Sequence, residues 1–358
     1  MSAIVLGMAS CGEGNEPESK DFQFKIEALS TSAHYIVTPV NNDAYYYCSC
    51  YVYTDGYEKT LKELTESKNY QVIMSYNSIV KGQPIEQYMY DKPSDTRFIV
   101  WACYVEEGEN GKIKVVGDIS YKIFKTMPEG TLNGEFSVNA QGKKVHFGKG
   151  NLKRDEDLSY RFFDHQWEYR HDSYYYPIDL IKMSDMEAYN QSSDPWFVLS
   201  YDEWKYLLFE RPNAEKLFAH ATLTINDDPI WGFMLLPDKW EDPDNMHVTT
   251  DFEMGITLDD NERDKYAASS NEFDGFAKNV FDQSQWEKLE FAGAVFLPAT
   301  NISINGETHL PQASSYYWTS TTSSVDSKYI FYYQQDLVRI TKTWALDRCT
   351  IRPVRVVK

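Results

Sequence analysis

Positive charge is what this chain has least of: 35 Lys and Arg stand against 54 Asp and Glu, for a net charge of −19 and a pI near 4.8. Surfaces for nucleic acid or anionic lipid need clustered Lys and Arg, so this balance argues against both. Cysteine is also sparse. The five residues Cys11, Cys48, Cys50, Cys103 and Cys349 follow no zinc-ligand spacing. Cys48 and Cys50 share one face of an alternating stretch and are poorly placed to bond each other, while either could meet Cys103 on a neighbouring strand. Cys349 has no second Cys in its half of the chain, so a structural thiol is the expectation.

What the chain has instead is aromatic residues, 15% of the total with 27 Tyr. That density is far above what disorder tolerates and suits half-buried strands. At 358 residues the chain is long for one compact domain and comfortable for two, so two cores are expected.

Residues 1–11 are short and apolar and end on Ala9-Ser10-Cys11, which resembles the close of a lipoprotein signal with Cys11 as the acylated lipobox residue. Residues 12–21 form a Gly, Glu, Pro and Ser tether. Its acidic start resembles the export tags of Bacteroidota surface lipoproteins. From Phe22 the pattern becomes short alternating strands, at 22–26, 33–38 and 44–53, with turn residues Pro39, Asn41, Asn42 and Asp43 between them. A helical insert is expected at Thr60 to Tyr70, a central strand at Arg97 to Val105 and a closing strand at Ile113 to Phe124. Residues 22–127 therefore predict an all-β sandwich. With Thr38-Pro39, the Asp43 to Tyr47 strand and the helical insert, this segment resembles the immunoglobulin-like, fibronectin type III-like domains near the membrane end of such lipoproteins. The resemblance implies a spacer, and a ligand surface on the Tyr face of 45–53 is the alternative.

Residues 128–132 read as a linker, because Pro128 and Gly130 adjoin at a change of composition. In residues 133–358 the organising stretch runs from Trp286 to Trp318: an amphipathic helix ending at Gly293, an apolar strand closed by Pro298, a polar loop and an aromatic strand from Tyr316. A further helix starts at Ser200, with Glu203 three residues on as a capping box, and Pro212 ends it. Seven blocks recur in order: Lys144 to Leu152, His165 to Tyr169, Leu199 to Trp204, Leu235 to Trp240, Gly293 to Pro298, Tyr317 to Ser320 and Ile351 to Arg355. Together they resemble the Fibrobacter succinogenes major paralogous (FISUMP) domain, related in fold to C-type lectin-like and formylglycine-generating-enzyme-like domains. The resemblance covers residues 133–358. It implies an α+β core in which two helices flank a twisted antiparallel sheet, with long loops displayed at one end.

Three chemistries are open to such a domain. Carboxylates concentrate in two loops, so Asp242, Asp244, Asp259 and Asp260 are candidate Ca²⁺ ligands. No EF-hand spacing accompanies them, and neither the Glu-Pro-Asn nor the Trp-Asn-Asp motif of calcium-dependent sugar-binding lectins occurs. Kinship with the oxidases would require a pair of thiols, and only Cys349 is in this half; a nucleophilic Cys349 with His146, His165 or His309 and a hydrolase using Glu168, Asp172 or Glu203 are the other enzymatic options. For binding, Trp240, Tyr266, Tyr316, Tyr317 and Trp344 are candidate stacking residues, with Asn301, Asn305 and Gln312 as polar partners. Trp318 is expected in the core.

These readings converge on a non-catalytic outer-membrane lipoprotein, held through its lipid anchor and facing outward, that binds a glycan or an envelope protein without a cofactor other than Ca²⁺. The alternatives are an enzyme and a structural adhesin or fimbrial subunit, for which an exposed edge strand would be diagnostic.

Overall fold

The computed structural model describes residues 19–56, 79–107, 113–154, 159–169, 175, 195–251, 257–258, 266–267, 275–300, 302–304, 307–309, 314–334 and 337–357. Cys11 and the helical insert expected at 60–70 lie outside the described residues. The chain divides into two compact units, Met1–Glu129 and Gly130–Lys358. Strand makes up 50% of the structure and helix 11%, distributed over several sheets, so the helical share of the second unit rests on short segments.

Among the described residues of the first unit, alternating aromatic and β-branched stretches form the strands β1 (Phe22–Ala28), β2 (Ala33–Pro39), β3 (Tyr45–Val52), β4 (Ile79–Lys81), β5 (Ile85–Met89), β6 (Arg97–Glu107) and β7 (Ile113–Lys125). They build two antiparallel sheets, β1-β2-β5 and β4-β3-β6-β7. Phe22, Tyr35 and Val37 from the first sheet meet Tyr46, Cys48, Phe98, Val100 and Phe124 from the second in one core. The period of two turns their neighbours outward: His34 sits between Glu27 and Glu86, at 3.2 and 2.9 Å.

That alternation also decides the cysteines. Cys48 belongs to the core between the sheets, whereas Cys103 packs with Tyr47, Ile99 and Trp101 in a separate cluster. Tyr47, not Cys48, stands opposite Cys103 in the register, so the two thiols point to opposite faces. The pairing of Cys48 with Cys103 left open by the sequence is therefore corrected, and Cys48, Cys50, Cys103 and Cys349 are all free.

The second unit carries β8 (Phe136–Ser137), β9 (Lys144–Phe147), β10 (Leu152–Arg154), β11 (Tyr160–Phe162), β12 (Phe218–Ile225), β13 (Asp228–Leu235), β14 (Thr257–Leu258), β15 (Tyr266–Ala267), β16 (Val280–Asp282), β17 (Val295–Pro298), β18 (Ile302–Ile304), β19 (Glu307–His309), β20 (Ser315–Thr322), β21 (Ser327–Gln334), β22 (Leu337–Trp344) and β23 (Val354–Val356). Its larger sheets run β16-β12-β13-β17, β20-β21-β22 and β23-β9-β8. Only the β12–β16 pair in these is parallel.

Helix α1 (Tyr201–Lys205) starts with a reciprocal capping box, Ser200 to the Glu203 amide and Glu203 back to the Ser200 amide. It runs on as a π-helical turn, Tyr206–Glu210, just before Pro212, and buries Trp204, Leu207 and Leu208. A short helix α2 (Gly275–Lys278) precedes α3 (Gln283–Phe291), capped by Asp282 and Gln285. Helix α3 ends at Gly293, whose φ of 98° suits glycine and whose added Cβ would lie 2.9 Å from the Gly134 Cα. Trp286 and Leu289 of α3 then pack with Leu223, Met234 and Phe296 in the main core. A second core gathers Trp196, Trp318, Ile330, Cys349 and Ile351. Trp318, 1% exposed, donates its indole N–H to the Tyr175 carbonyl at 2.6 Å.

Candidate functional site

Burial sorts the side chains of the second unit into an enclosed polar centre and an exposed tip. At the centre, the amide of Gln166 joins four partners, of which Glu290 is on α3 and Phe296 on β17. Its Oε1 accepts from Arg352 at 2.7 Å and from the Phe296 amide at 2.8 Å. Its Nε2 donates to Glu290 at 2.9 Å and to the Ala294 carbonyl at 3.2 Å. Glu290 also accepts from the Trp286 indole at 3.1 Å, and burial raises its pKa above the usual carboxylate range. Arg352 is 1% exposed, and burial lowers its pKa to about 10.

Tyr317 belongs to the same centre. It is fully buried, its hydroxyl donates to the Pro298 carbonyl at 3.2 Å, and burial raises its pKa to about 12. The expectation that Tyr317 lines a binding rim is therefore corrected: alternation along β20 turns it inward with Trp318 on the other face of the strand. The seven sequence blocks also turn out to supply core contacts. Asn151, Gln166, Ala294, Phe296, Pro298, Tyr317 and Arg352 meet here. Trp204 stacks on Phe331 at 4.5 Å. Asp238 accepts from Ser137 and from buried Arg211 at 3.1 Å. These blocks specify packing and name no ligand.

A second buried polar group escaped the sequence analysis. His220 Nδ1 faces Asp251 at 2.9 Å, and Asn279 donates to the His220 carbonyl at 2.8 Å. His220 and Asp251 are both fully buried, with the imidazole edge-on to Phe233 and Phe276, so the group fastens β12 to the 248–251 segment. The only hint in the sequence was a polar residue inside an apolar strand, with partners far along the chain.

The remaining candidates separate. Trp240 is half-buried and packs on the main core, and Tyr316 leans on Tyr332 at 4.7 Å. Tyr266 is placed in β15 opposite Leu258, with its side chain outside the described residues. Asn301, Asn305, Gln312, Asp172, Asp259 and Asp260 also lie outside them. Asp242 accepts from the Val248 amide at 3.2 Å, and Asp244 pairs with Lys288 at 2.5 Å. Among the described residues no three His, Cys, Asp or Glu side chains converge as a metal cluster. Glu168 accepts the Asp164 amide at 2.8 Å, and Glu203 caps α1 and pairs with Lys143 at 2.6 Å. Burial raises the Cys349 thiol well above its usual range.

Trp344 is different. It is 68% exposed, and Leu346 at 69% and Val325 at 92% are exposed at the same end of the strand pair. The ladder explains the grouping: Ser327 opposes Trp344, and the Ala345 amide donates to the Asp326 carbonyl at 2.9 Å, which carries Val325 and Leu346 to the same end of the β21–β22 pair. Buried Asp347 fixes the turn by accepting from the Trp344 amide at 3.1 Å and from the Thr343 hydroxyl. Lys342 lies over the Tyr329 ring at 5.3 Å nearby. Sequence reasoning picked out Trp344 and missed Val325 and Leu346, which reach the same end only through strand pairing.

No family model, curated protein or solved structure matches this chain. Among the described residues no helix is long and apolar enough to cross a membrane.

Proposed function

We propose that this chain is a non-catalytic outer-membrane lipoprotein, anchored through Cys11 and facing outward. A fibronectin type III-like spacer carries a FISUMP-type, C-type lectin-like unit that binds a glycan or a partner protein of the envelope. The observation that carries this reading is the apolar tip of Val325, Trp344 and Leu346. Large apolar side chains exposed to water at one end of a strand pair, on a turn held by a buried carboxylate, are the usual material of a recognition surface. An indole on a rigid turn suits stacking on a sugar face or insertion into a protein pocket.

The test is a glycan-array screen of the soluble protein from Asp21 onward, run with calcium and with a chelator, beside binding to isolated envelope proteins. Saturable binding that Trp344→Ala removes, with the unfolding transition unchanged, supports the reading. Binding that survives both Trp344→Ala and Leu346→Ser refutes the tip as the contact. Chelator sensitivity would add a metal, with Asp242, Asp244, Asp259 and Asp260 as its first candidates.

A further inference from the structure

The β21–β22 pair leaves the core at one end. Along one of its faces the opposed residues are Tyr333 and Val338, Phe331 and Ile340, Tyr329 and Lys342, then Ser327 and Trp344. The first two pairs are buried, Tyr329 is half-buried, and Lys342 and Trp344 are exposed. Helix α1 covers the inner part, where Trp204 stacks on Phe331, and its first residue, Tyr201, lies 4.5 Å from the Tyr329 ring. Beyond Tyr201 the face opens to water at Lys342 and Trp344.

Two features of that open end point to one kind of ligand. Lys342 sets its ammonium 5.3 Å from the centre of the Tyr329 ring, so a ring braced by Tyr201 fixes where the charge stands. Among the described residues no carboxylate pairs with this ammonium, in a chain holding 54 Asp and Glu. Trp344 follows two residues on, about 6–7 Å along the strand on the same side. Its cross-strand partner is Ser327, too small to cover an indole, and the Ser324 and Ser327 hydroxyls meet at 2.9 Å. The end thus offers an uncovered aromatic ring, hydroxyls that donate and accept, and one placed positive charge.

Taking the tip as the recognition surface proposed above, we propose that Trp344 and Lys342 form a subsite for a sugar acid, a saccharide unit carrying a carboxylate. A pyranose presents an apolar C–H face that stacks on an indole, and hydroxyls around its rim for the serines to bond. Its carboxylate stands at the ring edge, where an ammonium two residues from the indole pairs with it. A neutral sugar would use the indole and leave the ammonium unpaired. A stable protein partner needs roughly 800 Å² a side with an apolar centre, and here Ser324, Ser327 and Lys342 interrupt the apolar side chains. Because the ion pair is exposed, its contribution falls as salt rises.

The test is titration of the full chain, followed by calorimetry and Trp fluorescence, with tetragalacturonate, a hyaluronan tetrasaccharide and a sialic-acid trimer. Each is run beside its carboxyl-reduced, neutral counterpart. At least one acidic form should bind about 10-fold more tightly than its counterpart, the scale of a hydrogen bond to a charged group. Lys342→Gln should remove that preference and leave the affinity for the neutral form as it was. Lys342→Arg should keep the preference, and Trp344→Ala should lower both affinities. Both side chains are exposed, so unfolding midpoints should stay at the native value, which separates lost contact from misfolding. The preference should also shrink in about 1 M salt, where the Debye length is about 3 Å. Equal binding of acidic and neutral forms, or a preference that survives Lys342→Gln, would overturn the sugar-acid subsite while leaving the tip as a glycan surface. No binding of any of these saccharides would overturn it as well, and binding to envelope proteins would then decide whether the tip is a recognition surface at all.

Discussion

Replacing Gln166 with Leu tests the enclosed polar centre most directly, because volume is nearly conserved while four hydrogen bonds are lost at once. The Phe296 amide and the Ala294 carbonyl lose a partner. Arg352 keeps only the longer contact to Asn151 at 3.5 Å, and Glu290 keeps the Trp286 indole. Each buried group left unpaired costs about 1–3 kcal/mol, and breaking a buried charged contact from one side costs about 3–5 kcal/mol. These losses overlap, so the expected destabilisation is about 3–5 kcal/mol. With a urea slope of about 1–3 kcal/mol/M, the midpoint should fall by about 1–5 M. Tryptophan fluorescence isolates the effect, since eight of the nine Trp belong to Gly130–Lys358. Arg352→Met added to Gln166→Leu should recover part of the loss by removing the stranded cation. A fall of less than about 0.5 M with unchanged slope would refute the view that this centre holds the unit together.

Gly232→Ala should destabilise the same unit by about 1–3 kcal/mol through overpacking. The added Cβ would meet the Phe296 ring at 2.2 Å, and a thermal melt no lower than the native one would contradict this. Glu290 has a raised folded pKa, so its stabilising contribution is present below the ordinary carboxylate range and is lost as pH rises through the raised value. Glu290→Gln should flatten that decline in melts taken across the acid range, and an equally steep decline in the variant would place its source elsewhere. His146 acts in the opposite sense: burial lowers its pKa while its Nδ1–H donates to the Gly134 carbonyl at 2.9 Å. Its contribution is full above about 6.5, the unfolded imidazole value, and is lost as pH falls through the lowered folded value. Urea midpoints of the native chain should therefore drop between neutral pH and pH 5 by more than those of His146→Gln.

Local chemistry is what could be read in advance. Ser200 with Glu203 three residues on forms the capping box its spacing announces, because both partners lie within one helical turn. Gly293 ends α3 where an apolar strand follows, and Trp318 is buried where an alternating aromatic strand would put it. The strand-rich character of the chain was legible from its aromatic density, Tyr above all, because such side chains suit half-buried strands. Tyr317 was misread as a rim residue because which face of a strand looks inward depends on the layer packed against it. Val325 and Leu346 carried no signal, since neither is apolar in a periodic context until β21 and β22 pair.

By itself, then, the sequence determined the capping boxes, the glycine turn after α3 and the alternation of the strands, along with an acidic charge that disfavours phosphate-rich partners. Tertiary structure alone decided that Gln166 joins Glu290 and Arg352, that Cys48 and Cys103 face apart, and that Trp344, Leu346 and Val325 are exposed at the same end of one strand pair. Capping and turn formation are settled by partners a few residues away, which the chain order displays. Gln166 is 186 residues from Arg352, and contacts over that distance depend on the register and layering of sheets, which only the folded chain defines.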